Sequence, residues 1–221
     1  MTRLVIFDLD GTLLDTREDI AASCNYALRM CGCPERKLEE YNMMVGRGIC
    51  NLFRSALPED RRTEEMVLEM KSHFVPHYNV HLADRTKPYP GIIRMLDSLA
   101  EKGISFAVAS NKYQEGTEIL VRKYFSGYRF TTILGQREGH PLKPDPAIVY
   151  DAMNSIEGLT EDHTVYCGDS DVDMKTGQNA GVRTIGVAWG FRTREELAGC
   201  NPWLLVEKPE EIVNALTSDC K

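Results

Sequence analysis

Near the N-terminus the apolar run Leu4-Val5-Ile6 passes directly into Phe7-Asp8-Leu9-Asp10-Gly11-Thr12-Leu13-Leu14-Asp15. The run reads as a buried strand that turns at Gly11, and few folds accept a buried strand ending in two carboxylates. Side chains alternate along a strand, so Asp8 and Asp10 converge on one point past its end, the edge where open α/β sheets bind ligands. Like charges at that spacing repel and call for a cation between them. By itself Asp-x-Asp-Gly also fits an ordinary turn after a strand, so the rest of the chain has to decide.

The 221 residues suffice for one large domain or a domain carrying an insertion. Between residues 16 and 83 apolar side chains recur at three- and four-residue spacing: Ile20, Cys24, Ala27, Leu28 and Cys31; then Ile49, Leu52, Phe53 and Leu57; then Met66, Val67, Met70 and Phe74. That period predicts consecutive helices, with breaks at Gly32 to Pro34, at Gly46-Arg47-Gly48 and at Pro58-Glu59-Asp60. Beyond Pro88-Tyr89-Pro90-Gly91 the rhythm changes. Helices are expected over 92–102, 114–124, 146–154 and 174–179, and strands over 104–109, 131–134, 164–167 and 183–187. Alternation of this kind predicts an α/β fold, a Rossmann-like, doubly wound parallel sheet that also takes in the first strand. Residues 1–15 and 84–221 then form the core domain, and 16–83 an inserted all-helical domain.

The formal net charge is −7 without any Lys/Arg run, which argues against nucleic acid or an anionic membrane as main partner. A phosphate site in such a chain has to be a local concentration of positive charge. No apolar stretch nears the ~20 residues of a membrane span, and the start lacks a signal-peptide pattern, which points to a cytoplasmic protein. Cys24, Cys31, Cys33, Cys50, Cys167, Cys200 and Cys220 are odd in number and lack a Cys-x-x-Cys pair. They read as reduced packing residues; Cys31-Gly32-Cys33, as a redox or metal pair, lacks a second pair to complete it.

Three further segments bear polar groups, two at expected strand ends and one in a stiffened connection. Ser110-Asn111-Lys112 follows the strand 104–109, where a hydroxyl and backbone N–H groups facing the next helix suit phosphate oxygens, although Ser and Asn are also ordinary turn residues. In Lys143-Pro144-Asp145-Pro146 two prolines stiffen the segment and fix the place of Lys143. Gly168-Asp169-Ser170-Asp171-Val172-Asp173 puts Asp169 at the edge that holds Asp8. It lacks the Gly and Glu that an EF-hand loop requires. Asp8, Asp10, Asp169 and Asp173 facing Lys143 form a surplus of hard oxygen ligands, which suits magnesium when a phosphate completes the shell.

In this order, from Phe7 to Asp173, the four segments resemble motifs I to IV of the haloacid dehalogenase superfamily, and the helical insertion resembles its C1-type cap. The resemblance implies a magnesium-dependent phosphohydrolase. Asp8 would be the nucleophile that becomes an aspartyl phosphate. Asp10 would act as acid and then base, while Ser110 and Asn111 hold the phosphoryl group and Lys143 neutralises a phosphate oxygen and the attacking carboxylate. Magnesium would be bound by the carboxylates of Asp8 and Asp169 and the backbone carbonyl of Asp10, with Asp173 behind them. Dehalogenases proper lack the second acid, so Asp10 points to phosphoryl transfer. Together with Pro88 to Gly91 and Trp189-Gly190-Phe191-Arg192, the motifs most resemble phosphoglycolate phosphatases, which implies a small phosphorylated metabolite as substrate. A beta-phosphoglucomutase-like isomerase, which commonly carries Glu-Asp-Ser at Gly168-Asp169-Ser170, and an inorganic pyrophosphatase are the alternatives. A catalytically silent phosphate-binding protein is the non-enzyme reading.

Two features of the insertion stay open. Arg47, between two glycines, either grips a distal carboxylate or phosphate of the substrate or starts a helix as an exposed arginine. His73, His77 and His81 share a four-residue spacing that would line one helix face, but Pro76 is expected to interrupt the helix, which favours packing over a zinc site.

Overall fold

The structure, a computed structural model, describes residues 1–218. Strand β1 (Leu4–Phe7) and a short β2 (Leu14–Asp15) precede four helices, α1 (Arg17–Met30), α2 (Tyr41–Met44), α3 (Ile49–Ala56) and α4 (Glu64–His81). After β3 (Lys87–Pro88) come α5 (Ile92–Glu101), β4 (Ser105–Tyr113), α6 (Gln114–Phe125), β5 (Ile133–Gln136) and α7 (Ala147–Met153). The chain finishes with β6 (Thr164–Gly168), α8 (Asp171–Asn179), β7 (Arg183–Val187), α9 (Arg194–Ala198), β8 (Leu204–Val206) and α10 (Pro209–Ser218).

Six strands form one parallel sheet in the order β5-β4-β1-β6-β7-β8. β1 lies inside it between β4 and β6, so all four of its residues are buried, as an uninterrupted apolar run demands. Its alternation divides the interior in two. Val5 and Phe7 join the larger cluster on one face, and Leu4 and Ile6 join the smaller one with Ala107, Ala109, Val149 and Tyr166 on the other. Chain order reverses at β1, with β4 on one flank and β6 on the other, so the carboxyl ends of these three strands open on a single crevice.

Helices α1 to α4 leave and re-enter this sheet through a two-stranded antiparallel ribbon, in which Leu14 pairs with Pro88 and Asp15 with Lys87. Buried Asp19 staples the ribbon to α1 by accepting from the backbone N–H groups of Arg85 and Thr86 and from the Thr86 hydroxyl. Among the described residues no helix is long and apolar enough to cross a membrane.

Local expectations differ from the structure in α4, in β4 and beyond β7. α4 is unbroken through Pro76. A proline forfeits one backbone bond, and here Phe74 and Tyr78, buried on either side of it, keep both halves of the helix docked. β4 does not stop at Ala109 but runs on to Tyr113, with a register shift against β5 between these two residues. β8, α9 and α10 extend the sheet beyond the last expected strand; β8 is three residues long and too short to show a period. The six described cysteines are free thiols, and Cys220 lies outside the described residues.

Candidate active site

Asp8 continues the alternation of β1 beyond its last paired residue, and its backbone N–H still donates to Cys167 of β6 at 2.9 Å. The carboxylate is thereby fixed at the mouth of the crevice. Its Oδ1 accepts from Lys143 Nζ at 2.8 Å, and the same ammonium donates to Asp173 Oδ1 at 2.7 Å, to Ala109 O and to the Tyr166 hydroxyl. The Lys143 side chain is 1 % exposed. Burial disfavours its charge, but Asp173 and Asp8 outweigh that and raise its pKa well above the usual lysine value.

Asp173 is aimed by a helix cap. Ser170 is the N-cap of α8, and its hydroxyl and backbone N–H both donate to Asp173 Oδ2, at 2.6 and 3.0 Å, leaving Oδ1 for Lys143. This Ser-x-x-Asp capping box is a sequence signal that marks the helix start at Asp171, three residues before the expected Met174. Asp169 is held by the backbone N–H of Phe191 at 2.7 Å and by the Thr12 hydroxyl at 3.3 Å. The backbone closes tightly around it: a Cβ on Gly11, whose φ is +88°, would meet Asp169 Oδ2 at 2.3 Å, and one on Gly190 would meet the Asp169 Cβ at the same distance. Only glycine fits at either place.

Oxygens of Asp8, Asp169 and Asp173 come within 4.8 Å of one another, all three residues buried. Three carboxylates face one touching ammonium. Burial, only partly opposed by Lys143, pushes Asp8 up to about 7, and burial with the neighbouring Asp173 and Asp8 charges raises Asp169 well above the ordinary carboxylate range. A hard divalent cation fits this set of buried oxygen donors, because it replaces the missing positive charge.

Asp10 occupies the same edge but has other partners. Its Oδ1 accepts from the Thr16 hydroxyl at 2.7 Å, and Lys112 Nζ reaches both of its carboxylate oxygens, at 3.0 and 3.1 Å. The Asp10 carboxylate therefore stands apart from the three-acid group. Ser110 and Asn111 line the cleft beside it. The Ser110 hydroxyl accepts from the Lys112 N–H at 3.3 Å. Asn111 is a clamp: its amide donates to Gly46 O and Lys143 O, and its carbonyl accepts from Lys143 N–H.

The opposite wall of the cleft comes from the helical segment, through Ile20, Val45, Ile49, Leu52, Phe74 and Tyr78. Arg47 is not part of it. Its side chain is 47 % exposed, and its guanidinium pairs with Asp171 at 2.9 Å, tying the helical segment to the start of α8 and giving Asp171 a partner. The three histidines do not gather as one group: His77 bonds to Ser23, stacks on Tyr26 and packs against the His81 ring with centroids 4.4 Å apart, His81 bonds to Asp84, and His73 groups instead with Cys31 and Glu69. Functional positions that sequence reasoning left without a role are Thr12, Thr16, Lys112, Tyr166 and Arg192. Thr12 and Lys112 lie inside the recognised segments, and so does Arg192, at the end of Trp189-Gly190-Phe191-Arg192, where it donates to Val45 O of the helical segment.

Residues 5–187 match the haloacid dehalogenase-like hydrolase family. The phosphoglycolate phosphatase of Aquifex aeolicus is 32 % identical over 97 % of this chain and 96 % of its own length. That of Agrobacterium fabrum is 31 % identical over 86 % of this chain and 82 % of its own. A crystal structure of a candidate phosphoglycolate phosphatase from Lactobacillus delbrueckii subsp. bulgaricus superposes with a TM-score of 0.90 at 30 % identity, covering 97 % of this chain and 98 % of that one.

Proposed function

From the premise that this chain belongs to the haloacid dehalogenase-like hydrolase family and is a phosphoric monoester hydrolase, we propose that it hydrolyses a small phosphomonoester of the phosphoglycolate type through a phosphoaspartate on Asp8. The observation that carries this reading is the division of labour between two carboxylates at one strand end. Asp8 is held by Lys143 beside Asp169 and Asp173, and Asp10 is held separately by Thr16 and Lys112.

Asp8 Oδ attacks phosphorus as the bond to the leaving oxygen breaks, and Asp10 gives that oxygen its proton. Asp10, now a carboxylate, takes a proton from a water that attacks phosphorus; the acyl phosphate bond breaks, releasing inorganic phosphate and restoring Asp8. Lys143 offsets the repulsion between the Asp8 carboxylate and the phosphoryl oxygens, and Ser110 donates to one of those oxygens. Magnesium would be held by Asp8, Asp169 and the Asp10 carbonyl, with Asp173 supporting, and would supply positive charge to the phosphoryl oxygens. Residues 16–83 act as a cap hinged at the β2–β3 ribbon, closing an apolar wall over the reacting group.

Substituting Asp8 by Asn removes the nucleophile and leaves its size unchanged. Turnover of p-nitrophenyl phosphate and of phosphoglycolate should fall to background while Asp10→Asn, also inactive, still binds inorganic phosphate. Substantial turnover by Asp8→Asn would overturn the mechanism.

A further inference from the structure

Lys112 is the one cation among the described residues that line the cleft. Its side chain is 5 % exposed and is seated between two groups: the Asp10 carboxylate on one side and the face of Tyr78, 4.7 Å from Nζ to the ring centroid, on the other. Tyr78 comes from α4 of the helical segment and is itself stacked on Phe74, centroids 5.0 Å apart. Cap and sheet thus hold this ammonium jointly. Tyr78 also lines the cleft, and its buried hydroxyl has no hydrogen-bond partner. A buried hydroxyl without a partner is costly, so the pair of Lys112 and Tyr78 has spare donor capacity at the cap side of the cleft.

We propose that Lys112, supported on the Tyr78 ring, is the residue that reads an anionic group on the leaving half of the substrate. This rests on the reading of Asp8 as nucleophile and Asp10 as proton donor. If Asp10 protonates the leaving oxygen, that oxygen lies against Asp10, and Lys112 Nζ is 3.0 Å from the Asp10 carboxylate. A carboxylate one carbon away from the ester oxygen then falls within reach of the ammonium, which has three N–H donors. A neutral group of the same size gains nothing from this charge. The rest of the cap wall, Ile20, Val45, Ile49, Leu52 and Phe74, offers no side-chain hydrogen bonds, so a polyhydroxylated sugar would be desolvated there without compensation. A cleft with one buried cation and an otherwise apolar cap wall selects short phosphomonoesters that end in an anion. Arg47, committed to Asp171 at the cap margin, does not take part in this discrimination.

The test compares phosphoglycolate with ethyl phosphate and phosphoethanolamine, short esters ending in an anion, a neutral group and a cation. Values of kcat/KM are measured for the wild-type enzyme, Lys112→Met and Lys112→Arg, with inhibition by inorganic phosphate as a check that the phosphoryl site is intact. The wild type should prefer the anionic ester over the neutral one, and Lys112→Met should shrink that preference by about 10- to 100-fold, the effect of a lost hydrogen bond to a charged group. Lys112→Arg should restore most of it, and the cationic ester should gain on the neutral one in Lys112→Met. A residue that merely holds Asp10 in place would lower all three esters by a common factor, and that result overturns the proposal. If the wild type prefers phosphoglycolate and Lys112→Met keeps the preference, the subsite alone falls. If the wild type shows no preference, the phosphoglycolate reading falls with it.

Discussion

Removing the Lys143 ammonium is the sharpest perturbation of this site, because stability and chemistry should respond on different scales. Lys143→Met keeps the length of the stem and deletes the charge that holds Asp8 at 2.8 Å and Asp173 at 2.7 Å. Both partners are at most 5 % exposed, so water does not replace the lost bonds. Breaking one side of a buried ion pair costs about 3 to 5 kcal/mol, provided the stranded acids stay charged. That proviso depends on pH. Asp8 is already pushed up to about 7 by burial, and Lys143 is the main influence lowering it, so in the variant its pKa rises further. Urea unfolding of metal-free protein should therefore show a loss that grows as pH rises through 7 to 8, toward a limit of about 3 to 5 kcal/mol where the stranded acids are charged. At pH 5, where Asp8 takes up a proton and chiefly the contact with Asp173 is lost, the loss should be clearly smaller. With saturating metal, kcat/KM should fall about 10²- to 10³-fold, as when a preorganised donor to a developing charge is removed. An equal loss of stability at both pH values, or less than about 1 kcal/mol at pH 8, would refute the view that Lys143 neutralises charged acids.

Further outcomes follow from the same geometry. Activity should vanish in a chelator and return with magnesium, whereas calcium, with its larger and looser shell, should inhibit; unchanged rates in the chelator would remove the metal from the scheme. The metal-free protein should lose stability as pH rises from about 5 to 8. Asp8, with its pKa raised in the folded state, binds a proton there that the unfolded chain has already released, so its contribution is full only below the unfolded value of 3.8, declines as pH rises, and is gone once pH passes about 7. Melting temperatures across this range, with and without magnesium, check the sign, and a rising metal-free curve would contradict it. Finally, beta-glucose 1-phosphate with a trace of the bisphosphate should give inorganic phosphate and no glucose 6-phosphate, since an apolar cap wall offers nothing to hold a sugar for phosphoryl return; formation of the isomer would favour the mutase.

The sheet was legible because strand burial and strand chemistry coincide in this chain. Leu4 to Phe7 are apolar without a gap, and the polar residues begin where the strand leaves its neighbours, so the sequence marks both the strand and its functional end. Asp8 and Asp169 each stand at such an end, and parallel strands bring their ends together whatever the length of chain between them, whereas Lys143 reaches the same crevice from the loop between β5 and α7. What local pattern misjudged was continuity. Pro76 and the polar run Ser110-Asn111-Lys112 look like terminators, yet α4 and β4 pass through them because tertiary packing on either side outweighs one lost hydrogen bond or one shifted register.

The cap face was legible only as a set of helices, and the reason lies in what a period encodes. Three- and four-residue spacing says which side of a helix is apolar but not which strand end that side covers, so Phe74 and Tyr78 read as core and not as the roof of a reaction cleft. The glycines around Arg47 suggested a backbone that approaches a ligand, and Gly46 and Gly48 do line the cleft. The arginine between them projects to Asp171 at the margin, because a side chain in a turn is aimed by φ and ψ that neighbouring residue types do not specify. Lys112 is the converse. It sits in a recognised segment among ordinary turn residues, and its place becomes visible only when β4 carries it past Ala109, inside the register shift, to the point where Asp10 from the loop behind β1 and Tyr78 from α4 meet. On the proposed reading, specificity in this architecture is written where core and cap touch, in pairs of residues whose proximity no single segment announces.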